Sequence, residues 1–440
     1  KGRGDLTMWN ALKNAFKIPE LRDRILFTFF ALAIFRLGVY IPIPGINIQA
    51  WSAYFGTLSE GGAGGFIGFF DVFTGGAVQQ FSIFLMSVTP YINAQIMLQL
   101  LTAVVPSLKE MLKEGEEGKK KYARYTRMLT VGLASLQGFL ISFGLSSNTA
   151  IMAVPSRILF VLLATSTLIG GTMFLLWLGE RITEKGIGNG ISVLIFGGIV
   201  ARYPASIMQI VVALSPIQWA ILLAIALFTV IAVIYVQMGE RRIEVQYARR
   251  VTGRRVYGGV STHIPIKVNQ GGVIPIIFSS AIMMLPQFIA TAFPEGSGGR
   301  NVMQTLFAQT SPVYILLYGG MVFFFTFFYS SLVFDVREVS DNIRNYGGYI
   351  PGIRPGFSTQ QYIQRVLNRV VFMGAVFLVV IALLPLVIGG IFSIGGLAIG
   401  GTSTLIAVGV AIDILQQMET HLMVRHYEGF VKKGKLRGRR

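Results

Sequence analysis

The stretch IQWAILLAIALFTVIAVIYVQM, residues 217–238, is 22 residues long and carries no charged side chain. A helix needs about 20 apolar residues to cross the roughly 30 Å hydrocarbon core of a bilayer. The whole chain has 440 residues, of which 53% are hydrophobic and only 13% charged, where a soluble domain has about 25% charged residues. We therefore predict an all-α polytopic membrane protein with ten transmembrane helices, the other nine near residues 25–41, 77–103, 128–145, 157–179, 187–201, 273–293, 313–334, 370–388 and 399–418.

The basic residues predict which way the chain is oriented. With an even number of spans both termini lie on one side, and the termini and even-numbered connections hold 34 of the 38 lysines and arginines. Cytoplasmic loops carry such an excess, so both termini are predicted to be cytoplasmic. The strongly basic face could bind anionic lipid or an acidic partner such as ribosomal RNA. The four basic residues left for the outer side are Arg36, Arg157, Arg202 and Arg300.

Counting spans also predicts an inverted repeat. Five spans fall in residues 25–206 and five in 207–420, and an odd number of crossings turns the second half over relative to the first. Residues 1–24 form a cytoplasmic N-terminal segment, and residues 421–440 form a basic cytoplasmic tail. In proteins of this kind the functional path lies where the two halves meet.

Two of the predicted cytoplasmic loops contain sequence patterns that a simple link between two helices would not need. Residues 239–272 contain the alternating runs RRIEVQYA and HIPIKVN around a basic, glycine-bearing tip, which predicts a cytoplasmic β-hairpin. Residues 335–369 contain YIPGIRPGFS, whose prolines and glycines form a rigid turn around Arg354. Such a turn suggests a docking site, although a solvated charged loop would explain it equally well.

The sequence carries no recognisable catalytic or metal-binding constellation. It has no cysteine and no phosphate-binding loop, and His263, His421 and His426 have no acidic partners at metal-ligand spacing. A membrane enzyme would need paired titratable groups in a cavity, so we predict no enzymatic activity, no cofactor and no metal. An ion-coupled secondary transporter remains the alternative, but the only clear acid within a span, Asp413, lies off centre.

Two stretches near the second span are unusual. GGAGGFIGFFDVFTGGAVQQF, residues 61–81, is apolar between its glycines but too short to cross a bilayer. TPYINAQIMLQ, residues 89–99, places Thr89, Asn93 and Gln95 along one helix. Ordinary hydrogen bonds between helices explain one or two such residues, whereas the series favours a helix that faces water or a protein cavity.

Several motifs occur in an order that closely resembles the SecY family of bacterial protein-translocation channels. They extend over essentially the whole chain: RLGVYIPIPG from Arg36, TPYINAQIMLQLL, KEGEEGKKKYARYTR, GTMFLLWLGERITEKGIGNGIS, GRRVYGG, KVNQGGVIP, YIPGIRPG and GGTSTLI. The resemblance implies a protein-conducting channel with a central hourglass pore. It also implies a bacterial cytoplasmic (inner) membrane location.

The resemblance assigns roles to three groups of residues. Residues 64–76 correspond to a plug that seals the pore from outside, which implies a role for Phe66, Ile67, Phe69, Phe70, Asp71, Val72 and Phe73. A narrow aliphatic ring corresponds to Val88, Ile92, Ile195, Ile277, Ile282 and Ile406. A lateral gate, between spans two and three on one side and seven and eight on the other, includes Thr89, Asn93 and Gln95.

The resemblance also implies partners that supply energy and substrate. These are SecE-like and SecG-like small subunits, a SecA-like motor ATPase, the ribosome, signal sequences and nascent chains. Docking of the motor or the ribosome would involve Arg254, Arg255 and Arg354 in the two patterned loops.

Overall fold

A computed structural model of the protein describes residues 18–60, 71–213, 215–247, 250–252, 255–257, 261–293, 297–308, 311–392 and 401–433. These residues are mostly helical. In chain order the helices before the hairpin are α1 (Pro19–Val39), α2 (Ile48–Glu60), α3 (Thr89–Val104), α4 (Pro106–Lys113), α5 (Glu116–Leu145), α6 (Arg157–Lys185), α7 (Gly190–Ala213) and α8 (Pro216–Met238). The helices that follow it are α9 (Ile274–Ala292), α10 (Gly298–Leu306), α11 (Pro312–Val333), α12 (Val336–Asn345), α13 (Phe357–Phe392) and α14 (Gly401–Lys433).

Every predicted apolar run overlaps a helix. Among the described residues, six helices are long and apolar enough to cross a membrane, and a seventh is added if α3 and α4 are taken as one broken span. The predominantly helical membrane fold is thus confirmed, while the count of ten crossings stays a prediction.

The span predicted for residues 77–103 was wrong in its first half. Residues 74–88 form turns, and regular helix begins only at Thr89. The left-handed backbone of Gly75, Gly76, Phe81 and Ser87, with φ of 73°, 93°, 43° and 49°, is incompatible with a continuous helix. Pro90 lies in the first turn of α3, where the missing N–H is tolerated.

The chain divides into two compact units. The first contains the described residues up to Ala213 together with α14 from Ile406 onward. Within it α5 packs against α6, α3 packs against α5, and α1 and α7 both pack against α6. Asn189 starts α7 by accepting hydrogen bonds from the N–H groups of Ile191 and Ser192, at 3.1 and 3.3 Å.

The second unit contains the described residues from 215 to 392 and residues 401–405. Here α11 packs against both α9 and α13. The strands are β1 (Glu240–Tyr247), β2 (Arg250–Thr252), β3 (Arg255–Tyr257), β4 (Ser261–Lys267) and β5 (Gly348–Tyr349).

The predicted β-hairpin is confirmed. Strands β1 and β4 pair antiparallel from Glu240 opposite Lys267 to Gln246 opposite Ser261, and β5 adds to the other edge of β1. The base of the hairpin is tied to α8 by the Asn269 amide, which donates to Gln237 Oε1 and to the Gly272 carbonyl, both at 2.9 Å. β2 and β3 form a separate antiparallel pair.

Candidate functional site

An irregular stretch of backbone, residues 74–88, runs through the interior of the first unit. All its residues except Gln79, Gln80 and Ile83 are buried. The Ile83 carbonyl lies so close to Gly171, near the midpoint of α6, that a side chain at Gly171 would overlap it. The segment therefore reaches the depth of the middle of a predicted transmembrane helix.

The polar backbone of this segment is satisfied by neighbouring chain. The Ile83 N–H donates to the Ile41 carbonyl and the Ile43 N–H to the Phe81 carbonyl, both at 3.0 Å. The Trp51 indole N–H donates to the Val78 carbonyl at 3.0 Å. Non-helical backbone is tolerated at membrane depth only where protein or a water-filled cavity surrounds it. Residues 74–88 therefore lie in the interior of the protein, where neighbouring chain satisfies the backbone groups that a regular helix would satisfy itself.

Residues 71–76, called here the clamped turn, overlap the start of this stretch and are held by a partly buried ion pair. The Asp71 carboxylate contacts the Arg202 guanidinium of α7, with side chains 1% and 22% exposed. The second carboxylate oxygen accepts the Gln79 N–H at 2.8 Å, and Arg202 also donates to Gln79 Oε1 at 2.9 Å. Gln79 thus contacts both members of the pair.

A second arginine holds the clamped turn from another helix. Arg36, near the end of α1, donates to the Gly75 carbonyl at 2.6 Å and to the Tyr40 hydroxyl at 2.8 Å. Its guanidinium also lies 4.9 Å from the centre of the Tyr40 ring. Hydrogen bonds from a charged donor are about twice as strong as neutral ones, so the turn is bonded to α1 as well as α7.

Glycine permits the close approach to α7. A Cβ atom on Gly75 would lie 2.9 Å from Gly198 Cα, and one on Gly198 would lie 3.3 Å from the Phe73 carbonyl oxygen. Gly75 also has φ of +73°, a conformation that side chains disfavour. The two backbones therefore touch only because both positions are glycine.

Sequence reasoning found Asp71 but missed Arg36 and Arg202. The signal was present, since Arg36 and Arg202 are two of the four basic residues predicted for the outer side, and the plug that contains Asp71 is predicted to seal the pore from that side. Isolated charges in apolar surroundings pair with one another, and Asp71 with two of these arginines is one such combination. The residues are too far apart in sequence for spacing alone to join them.

The predicted ring residues are mostly buried. Val88, Ile92, Ile195 and Ile406 belong to the first unit, and Ile277 and Ile282 to the second. All are buried except Ile282, which is half-buried. Ordinary packing also buries aliphatic side chains, so the ring itself stays a prediction.

The predicted gate residues lie along α3. Thr89 is buried and its hydroxyl has no hydrogen-bond partner among the described residues, while Asn93 and Gln95 are half-buried. One turn beyond Gln95, the buried Oε1 of Gln99 is likewise unpaired within the described part of the chain. Buried polar groups are normally satisfied, so the unpaired polar atoms of this helix suit contact with water or a polar chain.

The predicted plug is described only in part. Asp71, Val72 and Phe73 are buried. Phe66, Ile67, Phe69 and Phe70 lie outside the described residues. The plug assignment therefore stays a prediction, and what the structure adds is the clamped turn at its C-terminal end.

The two patterned loops share a single hydrophobic core. Strand residues Ile243, Val245 and Ile266 from the first loop pack in one cluster with buried residues of the second loop and of α13. Those partners are Val336, Ile343, Ile350, Ile363, Leu367, Val370 and Val371. The loops are thus one folded body, called here the loop domain.

The predicted docking arginines differ in how far they are described. Arg354 is exposed in the turn before α13, where its carbonyl accepts the Thr359 hydroxyl at 2.9 Å. Its side chain makes no hydrogen bond or ion pair to a described residue. Arg255 lies in β3 with its side chain outside the description, and Arg254 lies outside it entirely. Docking through these residues stays a prediction.

Asp413 lies in the first unit and faces a polar cavity. The cavity has a volume of about 300 Å³ and is lined by Gly188, Asn189, Ser192, Val410, Asp413, Ile414, Gln416, Gln417 and Thr420. Gln417 accepts the Gly188 N–H at 2.8 Å. Asp413 is exposed, and among the described residues no three metal-ligating side chains cluster. The arrangement lacks the buried carboxylate that ion coupling favours.

The family profile and the individual relatives both identify the same protein family. The sequence profile of the SecY family matches residues 82–415. The protein translocase subunit SecY of Thermotoga maritima is 61% identical over 437 residues, covering 98% of this chain and 100% of that protein. The SecY subunit of Escherichia coli is 43% identical over 431 residues, covering 96% of each.

Comparison with solved structures agrees on the fold. A SecY structure, described as one in which the plug domain stabilises the closed channel and maintains a membrane seal, aligns with a TM-score of 0.60 at 16% identity. Sec61 from the canine ribosome–channel complex aligns with a TM-score of 0.56 at 15% identity. Each alignment covers 93% of this chain and 97% of the other.

Proposed function

The chain belongs to the SecY family of protein translocase subunits, and its function is that of a protein-translocation channel; from this premise we propose how it works. It conducts unfolded polypeptide across the bacterial cytoplasmic membrane and releases transmembrane helices sideways into lipid. Both termini lie in the cytoplasm, in keeping with the 34 basic residues assigned to that side. The two halves form an inverted repeat around an hourglass pore.

The observation that carries this proposal is the irregular segment of residues 74–88. It is buried, non-helical and level with the middle of α6. Interrupted helices in membrane transport proteins commonly lie beside the functional path, and irregular backbone at membrane depth is tolerated only inside protein or along a water-filled cavity. Val88 ends this segment, and Ile92 follows in the first turn of α3.

The proposed constriction is the ring of Val88, Ile92, Ile195, Ile277, Ile282 and Ile406. Aliphatic side chains offer a small ion no replacement for its hydration shell, so a narrow ring of them blocks ions by excluding water. A polypeptide segment meets walls that do not bind it. The plug, residues 64–76, covers the outer side of this ring in the closed channel.

The proposed lateral gate includes Thr89, Asn93 and Gln95 on α3. Opening it would let an apolar signal sequence leave water for lipid, with a gain of about 25 cal/mol per Å² of apolar surface. The half-buried polar side chains of Asn93 and Gln95 support this role, because polar groups in the wall can bond to water or to a passing chain.

The proposed docking surface is the loop domain, with Arg354 exposed at its turn. A ribosome or a SecA-like motor ATPase would bind there and drive movement, and SecE-like and SecG-like subunits would complete the complex. The Sec61 relative was solved in a ribosome–channel complex, which supports a ribosome as one partner. Anionic lipid is a further partner for the basic face.

Disulfide trapping tests the route of the substrate, and the chain is suited to it because it has no cysteine. An exported protein with one cysteine is stalled partway through channels carrying Ile92→Cys or Ile406→Cys. Ile158→Cys provides the matched control, since Ile158 lies on α6 with a 75% exposed side chain that is expected to face lipid.

A disulfide at Ile92 or Ile406, dependent on both cysteines and on an energy source, is the expected result. If the bond forms only at Ile158, the polypeptide follows another route and the proposed pore is wrong.

A further inference from the structure

We propose that the loop joining α6 to α7, residues 186–190, fixes the spacing of α7 and α14 and so holds Ile195 and Ile406 at one distance while the channel opens. These five residues are called here the GIGNG loop, after their sequence. The inference rests on the proposed function, because it takes the two isoleucines as part of the constriction. It adds a role for a loop that the proposed mechanism leaves unused.

Two helices distant in sequence bond to consecutive backbone groups of the GIGNG loop. The Thr28 hydroxyl of α1 accepts the Ile187 N–H at 3.1 Å. Gln417 Oε1 of α14 accepts the Gly188 N–H at 2.8 Å. Both loop residues are buried, and a buried N–H group without a partner costs free energy. The loop therefore holds α1 and α14 in one arrangement.

The third helix bonded to the loop is α6, through Thr183. Its hydroxyl accepts the Gly190 N–H at 2.9 Å and donates to the Gly179 carbonyl at 3.0 Å. The Thr28 hydroxyl likewise donates to the Arg24 carbonyl of its own helix, at 2.9 Å. Since a hydroxyl has one hydrogen to donate, both threonines face the loop with their lone pairs. Each is thus oriented by its own helix to accept from the loop.

Glycine brings the loop into close contact with α6 and α14. A Cβ atom on Gly190 would overlap the Gly179 carbonyl oxygen. Gly188 has φ of +87°, which side chains disfavour, and a Cβ atom there would lie 3.2 Å from Ile414 of α14. The start of α7 therefore lies against the backbone of α6 and close to α14.

An apolar cluster covers the same junction. Ile187 of the loop packs with Leu21 and Ile25 of α1 and with Met418 of α14, and all four are buried. The inverted repeat assigns α14 to the second half of the chain, whereas α1, α6 and α7 belong to the first. The GIGNG loop thus joins a helix of one predicted half to three helices of the other.

The junction lies a short way along each helix from a ring residue. Ile195 follows Gly188 by seven residues, and Ile406 precedes Gln417 by eleven. At about 1.5 Å per residue these separations are about 10 Å and about 16 Å. Because helices this short are stiff, fixing the Gly188–Gln417 contact fixes the spacing of the two isoleucines. The ring then opens by movement of its other members.

Spin labels measure this spacing directly, since the chain has no cysteine to remove. Val200→Cys on α7 and Glu419→Cys on α14 are at exposed positions. Both are labelled in the purified full-length channel, with and without a precursor stalled inside it. Double electron–electron resonance is expected to give one narrow distance distribution, unchanged when the precursor is present.

Substitutions then remove the bonds of the loop while keeping side-chain size. Thr28→Val, Thr183→Val and Gln417→Met each remove one acceptor, whereas Thr28→Ser and Gln417→Glu keep it. Thr167→Val is the matched control for the threonines, because the Thr167 hydroxyl bonds within α6. Gln416→Met is the control for Gln417, since its side chain has no hydrogen bond to the loop among the described residues.

Loss of one acceptor is expected to speed hydrogen exchange of the amide it bound by about tenfold. The distance distribution broadens in the same variants, and most in Thr28→Val combined with Gln417→Met. In planar bilayers this double variant leaks small ions past the stalled precursor, because the ring no longer closes around the chain. The serine and glutamate variants and both controls match the parent, which a general loss of stability would not produce.

A distance that changes in the parent when the precursor is stalled would overturn the proposal. Distributions in the loop variants identical to the parent, or a broadened distribution without an ion leak, would do the same. If a variant fails to accumulate, the two states of the parent still decide. Disulfide trapping at Ile92 separates this proposal from the pore: trapping there with a variable distance refutes the role of the loop alone, and no trapping in the parent refutes the pore.

Discussion

Replacing Ile266 by alanine tests whether the two patterned loops fold as one domain. Ile266 lies in β4 of the first loop with 0% of its side chain exposed, and it packs in the same cluster as Val336 and Ile343 of the second loop. If that cluster is one cooperative core, a destabilising substitution in β4 must also destabilise α12, although α12 is distant in sequence.

The size of the effect follows from what alanine removes. Three buried carbon groups are lost, which at about 0.8 kcal/mol each amounts to about 2.4 kcal/mol. The cavity left behind raises this toward the range of about 2–5 kcal/mol seen for such replacements. Ile266→Val removes one carbon and is expected to cost about 0.5–1.5 kcal/mol.

Hydrogen exchange of the purified full-length protein measures the effect locally. For amides that exchange through opening of the loop domain, 2.4 kcal/mol corresponds to a rate increase of about fiftyfold. We expect this increase in peptides from β1 and α12, with a smaller graded increase for Ile266→Val. Thr262→Ala is the matched control, since Thr262 lies on the same strand but is exposed.

Faster exchange in β1 with α12 unchanged would refute the shared core. Ribosome binding provides a functional measurement of the same effect. A destabilised loop domain no longer presents Arg354 in a rigid turn, so binding is expected to weaken. Arg354→Ala is expected to weaken binding without changing exchange, which separates loss of the contact from loss of the fold.

Two further predictions address the pore and the alternative function. Deleting residues 66–74 should let small ions pass the resting channel, and conductance equal to the parent in planar bilayers would contradict the plug assignment. Asp413→Asn should leave protein export unchanged, because Asp413 is exposed and lacks the burial that an ion-coupling carboxylate favours; a loss of export that tracks the proton or sodium gradient would instead favour an ion-coupled transporter.

Much of the helical architecture was predictable from local sequence. A stretch such as residues 217–238 has no alternative to a helix in lipid, because every backbone polar group must be satisfied within the segment. The hairpin was predictable for a similar reason. Alternation at Ile243 and Val245 puts both on one face, and both are buried there.

The candidate site could not be predicted from local sequence to the same extent. The run 77–103 carries no charged side chain, so hydropathy could not separate the irregular backbone before Thr89 from the helix after it. What breaks the helix is backbone conformation at Gly75, Gly76, Phe81 and Ser87. Two of these are residues for which a positive φ is uncommon and cannot be anticipated from composition.

The sequence by itself determined that the chain is a mostly helical membrane protein and which family it belongs to, since hydropathy and motifs are read along the chain. Only the tertiary structure decided which charges meet. Arg202 bonds to Gln79, 123 residues away, and Ile266 shares a core with α12 of another loop. Such contacts depend on how helices pack side by side, and a glycine like Gly198 allows that approach without any signal in its own neighbourhood.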